Sequence, residues 1–140
     1  MDLRLVGNFD RKGSLYFVFS QEGANYSEDC AVYLHERCFD LIQKAFDDHV
    51  ADFDYYGHNA LSREQWDAVI AGLLRLGHKL RTVEYSHMFE EDFLEWVFPT
   101  VQEQPKFEHF AGQLSGLIDK LVAWLVERLD KGRSISVIGL

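Results

Sequence analysis

Basic residues are scarce in this sequence. Fourteen Lys and Arg stand against 23 Asp and Glu, a formal net charge of −9 over 140 residues. Nucleic-acid backbones are held by neutralising their phosphates, so this balance excludes an ordinary basic nucleic-acid binder. Nor do the basic residues cluster with aromatics as an RNA platform requires. Cysteine is equally sparse. Cys30 and Cys38 are the two present, too few for a disulfide framework, and their spacing does not call for a bridge. They read as free thiols acting as small hydrophobes. Long apolar runs are missing too. The greasiest stretch, residues 114–129, is broken by Asp119, Lys120, Glu127 and Arg128, whereas a spanning helix needs about 18 or more apolar residues in a row. The opening Met1-Asp2-Leu3-Arg4-Leu5-Val6-Gly7 has no apolar core of a signal peptide. The expectation is a cytoplasmic protein with no membrane contact. No glycine-rich phosphate loop follows a strand pattern, and no serine sits at a nucleophile elbow.

What is present suits one domain over residues 1–140. The chain is 47% hydrophobic and 14% aromatic, enough for a core without disulfide or metal. Residues 3–9 read as a strand, and Asp10-Arg11-Lys12-Gly13 as a turn. Leu15-Tyr16-Phe17-Val18-Phe19 is a buried strand, expected to pair with the first as an antiparallel hairpin. Residues 30–34 form a third strand. The period then changes. Cys38 or Phe39, Ile42, Ala45 or Phe46 and Val50 recur at three and four, an amphipathic helix from Glu36 to about His49. Residues 52–59 read as a loop. Ser62-Arg63-Glu64-Gln65 has the form of a capping box and opens a helix with Trp66, Val69, Ile70, Leu73, Leu74 and Leu76 inward. Gly72 and Gly77 leave its end open. Residues 89–98 suit a helix that stops at Pro99. Residues 107–130 are the strongest helical pattern, closed by Lys131-Gly132, and Ser134-Ile135-Ser136-Val137-Ile138 is a last strand. The fold class expected is α+β: a small antiparallel sheet, the N-terminal meander plus the C-terminal strand, packed against three to four helices.

The acids are patterned. Residues 27–60 carry eight acids against Arg37 and Lys44, and residues 90–108 carry six against Lys106. Together these windows are more negative than the whole chain, so the remainder is slightly basic. An acidic surface bearing aromatics suits a basic protein partner, because complementary potentials steer association. Asp47, Asp48, Asp52 and Asp54 sit beside Phe53, Tyr55 and Tyr56, amphipathic rings of the kind that anchor interfaces. Glu90, Glu91, Asp92 and Glu95 form a second acidic group. Two alternative chemistries stay open. His49, Asp52, Asp54 and His58 are metal-ligand types, but their spacing matches no tight motif. Glu91 and Glu95, four apart on a helix, suit paired carboxylates of a metal-dependent enzyme with a histidine. The histidines are otherwise scattered. No catalytic residue, metal ligand or cofactor is assigned, and the chain is expected not to be an enzyme.

Phe53-Asp54-Tyr55-Tyr56-Gly57 runs into Leu61-Ser62-Arg63-Glu64-Gln65-Trp66, and the sequence closes on Ile135-Ser136-Val137-Ile138-Gly139-Leu140. In these features, and in its small acidic build, the chain resembles bacterial immunity proteins of polymorphic toxin systems, including contact-dependent growth inhibition. The resemblance implies a cognate inhibitor that binds the C-terminal domain of a delivered toxin, often a nuclease, and occludes it. It carries over no functional residue. The residues expected to face such a basic partner are those of the two acidic groups together with Tyr55 and Tyr56. A monomer or homodimer is expected, and a homodimeric adaptor is the remaining alternative.

Overall fold

The computed structural model describes residues 5–6, 16–22, 30–82 and 104–139, with side chains from residue 16 onward except those of residues 104–107. Its elements, in chain order, are β1 (Leu5–Val6), β2 (Tyr16–Gln21), β3 (Ala31–His35), α1 (Glu36–Asp47), β4 (His58–Ala60), α2 (Arg63–Thr82), α3 (Gln104–Asp130) and β5 (Ile135–Gly139). The architecture is α+β, as the segregation of strand and helix patterns predicts. Five strands form an antiparallel sheet in the order β1-β3-β2-β5-β4.

The centre of the sheet is β2, and its composition explains why. Tyr16, Phe17, Val18 and Phe19 are all buried. A strand apolar on both faces has to be covered on both faces and flanked on both edges. Phe17 pairs with Leu34 of β3 on one side and with Gly139 of β5 on the other. With both edges taken, β2 cannot form the expected hairpin with the first strand. Instead β1 lies on the outer edge of β3, Leu5 opposite Leu34 and Val6 opposite Tyr33. The turn at residues 10–13 and the helix expected at 89–98 lie outside the described residues.

Side chains alternate across the sheet. Phe17, Phe19, Leu34, Ile135 and Val137 join the main core with the helices, while Tyr16, Val18, Ala31 and Tyr33 cluster separately, with Ile138 beside them. From α1 come Cys38, Phe39, Ile42, Ala45 and Phe46, the face its sequence period specifies. The chain passes from β3 into α1 without a loop. His35 ends the strand and caps the helix, its Nδ1 accepting from the Arg37 amide at 3.2 Å.

Helix α2 begins at the expected capping box. The Gln65 amide donates to Ser62 Oγ at 3.1 Å, and the Ser62 amide donates to Gln65 Oε1 at 2.9 Å. Leu61 and Trp66, the flanking staple positions, are both buried in the main core. Trp66 has no exposed surface, and its Nε1–H donates to the Ile135 carbonyl at 3.0 Å, tying α2 to β5. The helix runs through Gly72 and Gly77. Leu74 is 45% exposed and not inward as expected. At about 100° per residue it rotates off the stripe of Trp66, Val69, Ile70, Leu73 and Leu80. Helix α3 buries Ala111, Leu114, Leu117, Ile118, Leu121, Leu125 and Leu129 in the same core. It ends in a Schellman motif: the Gly132 amide donates to the Leu129 carbonyl at 2.9 Å and the Arg133 amide to the Arg128 carbonyl at 3.1 Å. Gly132 takes the required left-handed conformation, φ 75°. Among the described residues, no helix is long and apolar enough to cross a membrane.

Two glycines should respond oppositely to alanine. A Cβ on Gly139 would lie 1.9 Å from the Tyr55 carbonyl oxygen, whereas one on Gly112 meets nothing within 4 Å. Gly139→Ala is expected to destabilise by about 3 kcal/mol, and Gly112→Ala to stabilise by about 0.5–1 kcal/mol. Urea unfolding of the three proteins checks both signs.

Candidate functional site

The segment between α1 and β4 is where the aromatic and acidic residues of the sequence converge. It is anchored from below by its rings. Phe53 lies 5.9 Å from Phe39 and 5.4 Å from Phe46, centroid to centroid, and Tyr55 meets Phe17 edge-on at 4.8 Å. Phe39 in turn stacks on Phe17 at 3.8 Å. Such contacts add to what area burial alone contributes. Phe53 and Tyr55 are therefore half-buried footings, whereas Tyr56 stands 81% exposed.

The backbone of the segment is held by Asn59, a buried side chain on β4. Its Oδ1 accepts from the Asp54 amide at 2.7 Å, and its Nδ2 donates to the Asp54 carbonyl at 2.8 Å and the Val137 carbonyl at 3.3 Å. One amide thus joins the loop to β5 and satisfies itself. The Gly139 amide donates to the Gly57 carbonyl at 3.0 Å, extending the β4–β5 ladder. Asp54 folds back on its own turn, its Oδ1 accepting from the Tyr56 amide at 3.0 Å. Its carboxylate occupies the space where a Cβ on residue 57 would stand, 2.2 Å from Oδ2, so a side chain there would have to displace it from the turn. The outcome is a fixed turn with the Tyr56 ring projecting from it.

Beside the turn runs one face of α1. Glu36, Asp40, Gln43 and Asp47 are spaced four, three and four apart, which places them along a single stripe. The Tyr55 hydroxyl donates to Asp40 Oδ1 at 2.6 Å and to Glu36 Oε1 at 3.1 Å. Partial burial, then the hydrogen bond and charge of Asp40, then those of Glu36, push the Tyr55 hydroxyl well above the usual phenol range. Gln43 Nε2 donates to Asp47 Oδ2 at 3.2 Å. Among the described residues, no basic side chain pairs with Glu36, Asp40, Asp47 or Asp54. Between the helix and the turn is a recess of about 340 Å³ lined by Asp40, Leu41, Gln43, Tyr55 and Tyr56.

The expected partner-binding residues are thus divided. Asp47, Asp54, Tyr55 and Tyr56 share this surface. Asp48 caps the end of α1 and turns to Lys44 at 3.5 Å, on a different side of the helix. That pairing offsets the unfavourable position of an anion at a helix C-terminus. Asp52 lines a separate recess with His58, Asn59 and Gln65. Glu90, Glu91, Asp92 and Glu95 lie outside the described residues, and with them the paired-carboxylate chemistry of Glu91 and Glu95. Glu36, Asp40 and Leu41 belong to the surface without having been singled out from sequence. The four-three-four spacing of acids and amide on α1 is the signal that points to them. His58 does not join His49. It faces Glu22, whose Oε1 lies 3.8 Å from His58 Nε2 and also accepts from Ser136 Oγ. Among the described residues no three His, Cys, Asp or Glu side chains are grouped to hold a metal ion. Compared with models of known families, with curated proteins and with solved structures, the chain has no match.

Tyr55 generates a pH prediction. The folded chain holds the hydroxyl proton more tightly than the unfolded chain, where tyrosine ionises near 10. The unfolded state loses its proton first, so this contribution is full below about pH 10 and declines as pH rises from there towards the folded value. Tyr55→Phe should cost about 1 kcal/mol at neutral pH and flatten the alkaline decline. Urea midpoints of both proteins between pH 8 and 11 test this.

Proposed function

We propose that the chain is a protein inhibitor that binds a basic partner domain through the surface formed by α1 and the Asp54–Gly57 turn, in the manner of an immunity protein neutralising its cognate toxin. The observation that carries this reading is Tyr56. A large ring 81% exposed, on a turn held by hydrogen bonds at the Asp54, Tyr56 and Gly57 amides and the Asp54 and Gly57 carbonyls, loses little conformational entropy on binding. Pre-organised tyrosines of this kind anchor interfaces. Around it, Glu36, Asp40, Asp47 and Asp54 present negative charge without basic partners among the described residues. Such a field favours fast, salt-sensitive encounter with a cationic surface, and a nuclease is cationic where it holds nucleic acid.

Size sets the extent of the contact. A standard interface buries about 800 Å² on each partner, roughly a tenth of the 8128 Å² surface of this chain. The recess at Tyr56 is too small to supply that alone. Contact therefore extends along the α1 stripe from Asp47 to Glu36, with Leu41 at its border. Inhibition would be by occlusion, with no chemistry contributed by the inhibitor.

The test uses the C-terminal domain encoded by the adjoining upstream reading frame. A stoichiometric complex is expected, weakening as salt rises. Tyr56→Ala should weaken it at least tenfold, and Asp40→Lys with Asp47→Lys should weaken it and reduce its salt dependence. Asp54 is a poor choice for reversal because it also closes the turn, and because Asp40 also accepts from the Tyr55 hydroxyl, Asp47→Lys by itself reports charge without that contact. Absence of a complex, or one indifferent to all three substitutions, overturns the reading.

A further inference from the structure

A second concave surface lies between α1 and α2, across Leu41 from the tyrosine recess. Its floor is apolar: Leu41, Ala45, Gly72 and Leu76. Gly72 is what lets it open. A Cβ there would come within 3.3 Å of His49 Nε2, so the helices approach closely at this point and no side chain fills the gap. The rim has the opposite character to the chain as a whole. Of the described residues that line it, Lys44, Arg75 and Lys79 stand around it with the His49 ring and one carboxylate, Asp48. That carboxylate is already engaged by Lys44 at 3.5 Å.

Arg75 is the telling residue. Arg63 pairs with Asp67 and Asp130, Arg81 with Asp119, and Arg128 lies beside Glu127. Arg37, Arg75 and Arg133 have no carboxylate partner among the described residues; of the three, Arg75 lines the groove, where it directs a guanidinium nitrogen at His49 Nε2, 3.4 Å away. In a chain of net charge −9, a guanidinium above an apolar floor, without an acid, is set out for an anion from elsewhere. Its planar fork matches a carboxylate. An apolar floor argues against inorganic phosphate, which has nothing to lay on it. The volume is about 160 Å³, about five waters' worth at roughly 30 Å³ each. That admits a short aliphatic chain and is below the range of drug-sized ligands.

We propose that the α1–α2 groove binds a short-chain aliphatic carboxylate, its head group on Arg75 and its alkyl chain on Leu41, Ala45 and Leu76. This proposal does not rest on a toxin partner, and Leu41 is the residue the groove shares with the tyrosine recess.

The experiment is an amide NMR titration of the full chain with hexanoate. Saturable shifts are expected in residues 41–49 and 72–79. Butanoate, two methylenes shorter, should bind about tenfold more weakly, and hexylammonium, of the same length and opposite charge, should not saturate. Arg75→Glu should weaken hexanoate at least tenfold, while Arg133→Glu, an exposed change outside the groove, should leave it unaltered. Equal binding of hexylammonium, shifts centred on Tyr56, or an Arg75→Glu protein that binds as before would overturn the proposal. So would a groove that ignores hexanoate yet takes up an acidic peptide, since that makes it a protein-docking surface.

Discussion

The loop between α1 and β4 rests directly on the backbone of β5, and much of the candidate surface depends on that contact. Tyr55 presents its carbonyl oxygen where a side chain on Gly139 would have to be. Asn59 then bridges the loop to Val137 with a single amide group. A buried amide so fully engaged is costly to leave unpaired, so loop and strand hold or fail together. The same strand receives the Trp66 indole from α2. β5 is therefore the meeting point of the sheet centre, the second helix and the aromatic turn.

This arrangement separates two tasks that a loop usually mixes. Phe53 and Tyr55 spend their rings on the core, against Phe39, Phe46 and Phe17. Tyr56 contributes little to stability and stands in solvent, touching the edge of Tyr55 at 4.8 Å. The acids divide in the same way. Asp54 closes a turn and Asp40 holds a phenol, but each keeps a negative charge at the surface. Beyond Leu41 the character reverses to cations over an apolar floor. α1 thus separates an acidic aromatic surface from a basic greasy one, which is more order than its net charge conveys.

Features governed by local physics were legible in the sequence. The capping box at Ser62, the glycine stop after α3 and the inward faces of α1 and α3 follow from spacing within a few residues. The apolar β2 and β5 were recognisable as strands for the same reason. Pairing was another matter. β1 sits against β3 because both edges of β2 were claimed, one by a strand more than 110 residues away. β4, His-Asn-Ala, has no strand propensity to speak of, and it is a strand because β5 and the Asn59 amide hold it there. In the site, Asp54, Tyr55 and Tyr56 declared themselves by composition. Glu36 and Asp40 did not, because they meet Tyr55 across 19 and 15 residues of chain. Asp48 and Asp52 were read as one cluster with their neighbours, and the end of α1 turns them in different directions.

The central claim is that Tyr56 is displayed by a turn locked to β5. Native-state amide hydrogen exchange of the uncomplexed chain tests it most directly. The account predicts that the amides of Asp54, Gly57 and Gly139 exchange as slowly as those in the middle of β2, through a shared opening. Exchange of Asp54 and Gly57 at the rates of an unstructured peptide, with β2 still protected, would contradict it.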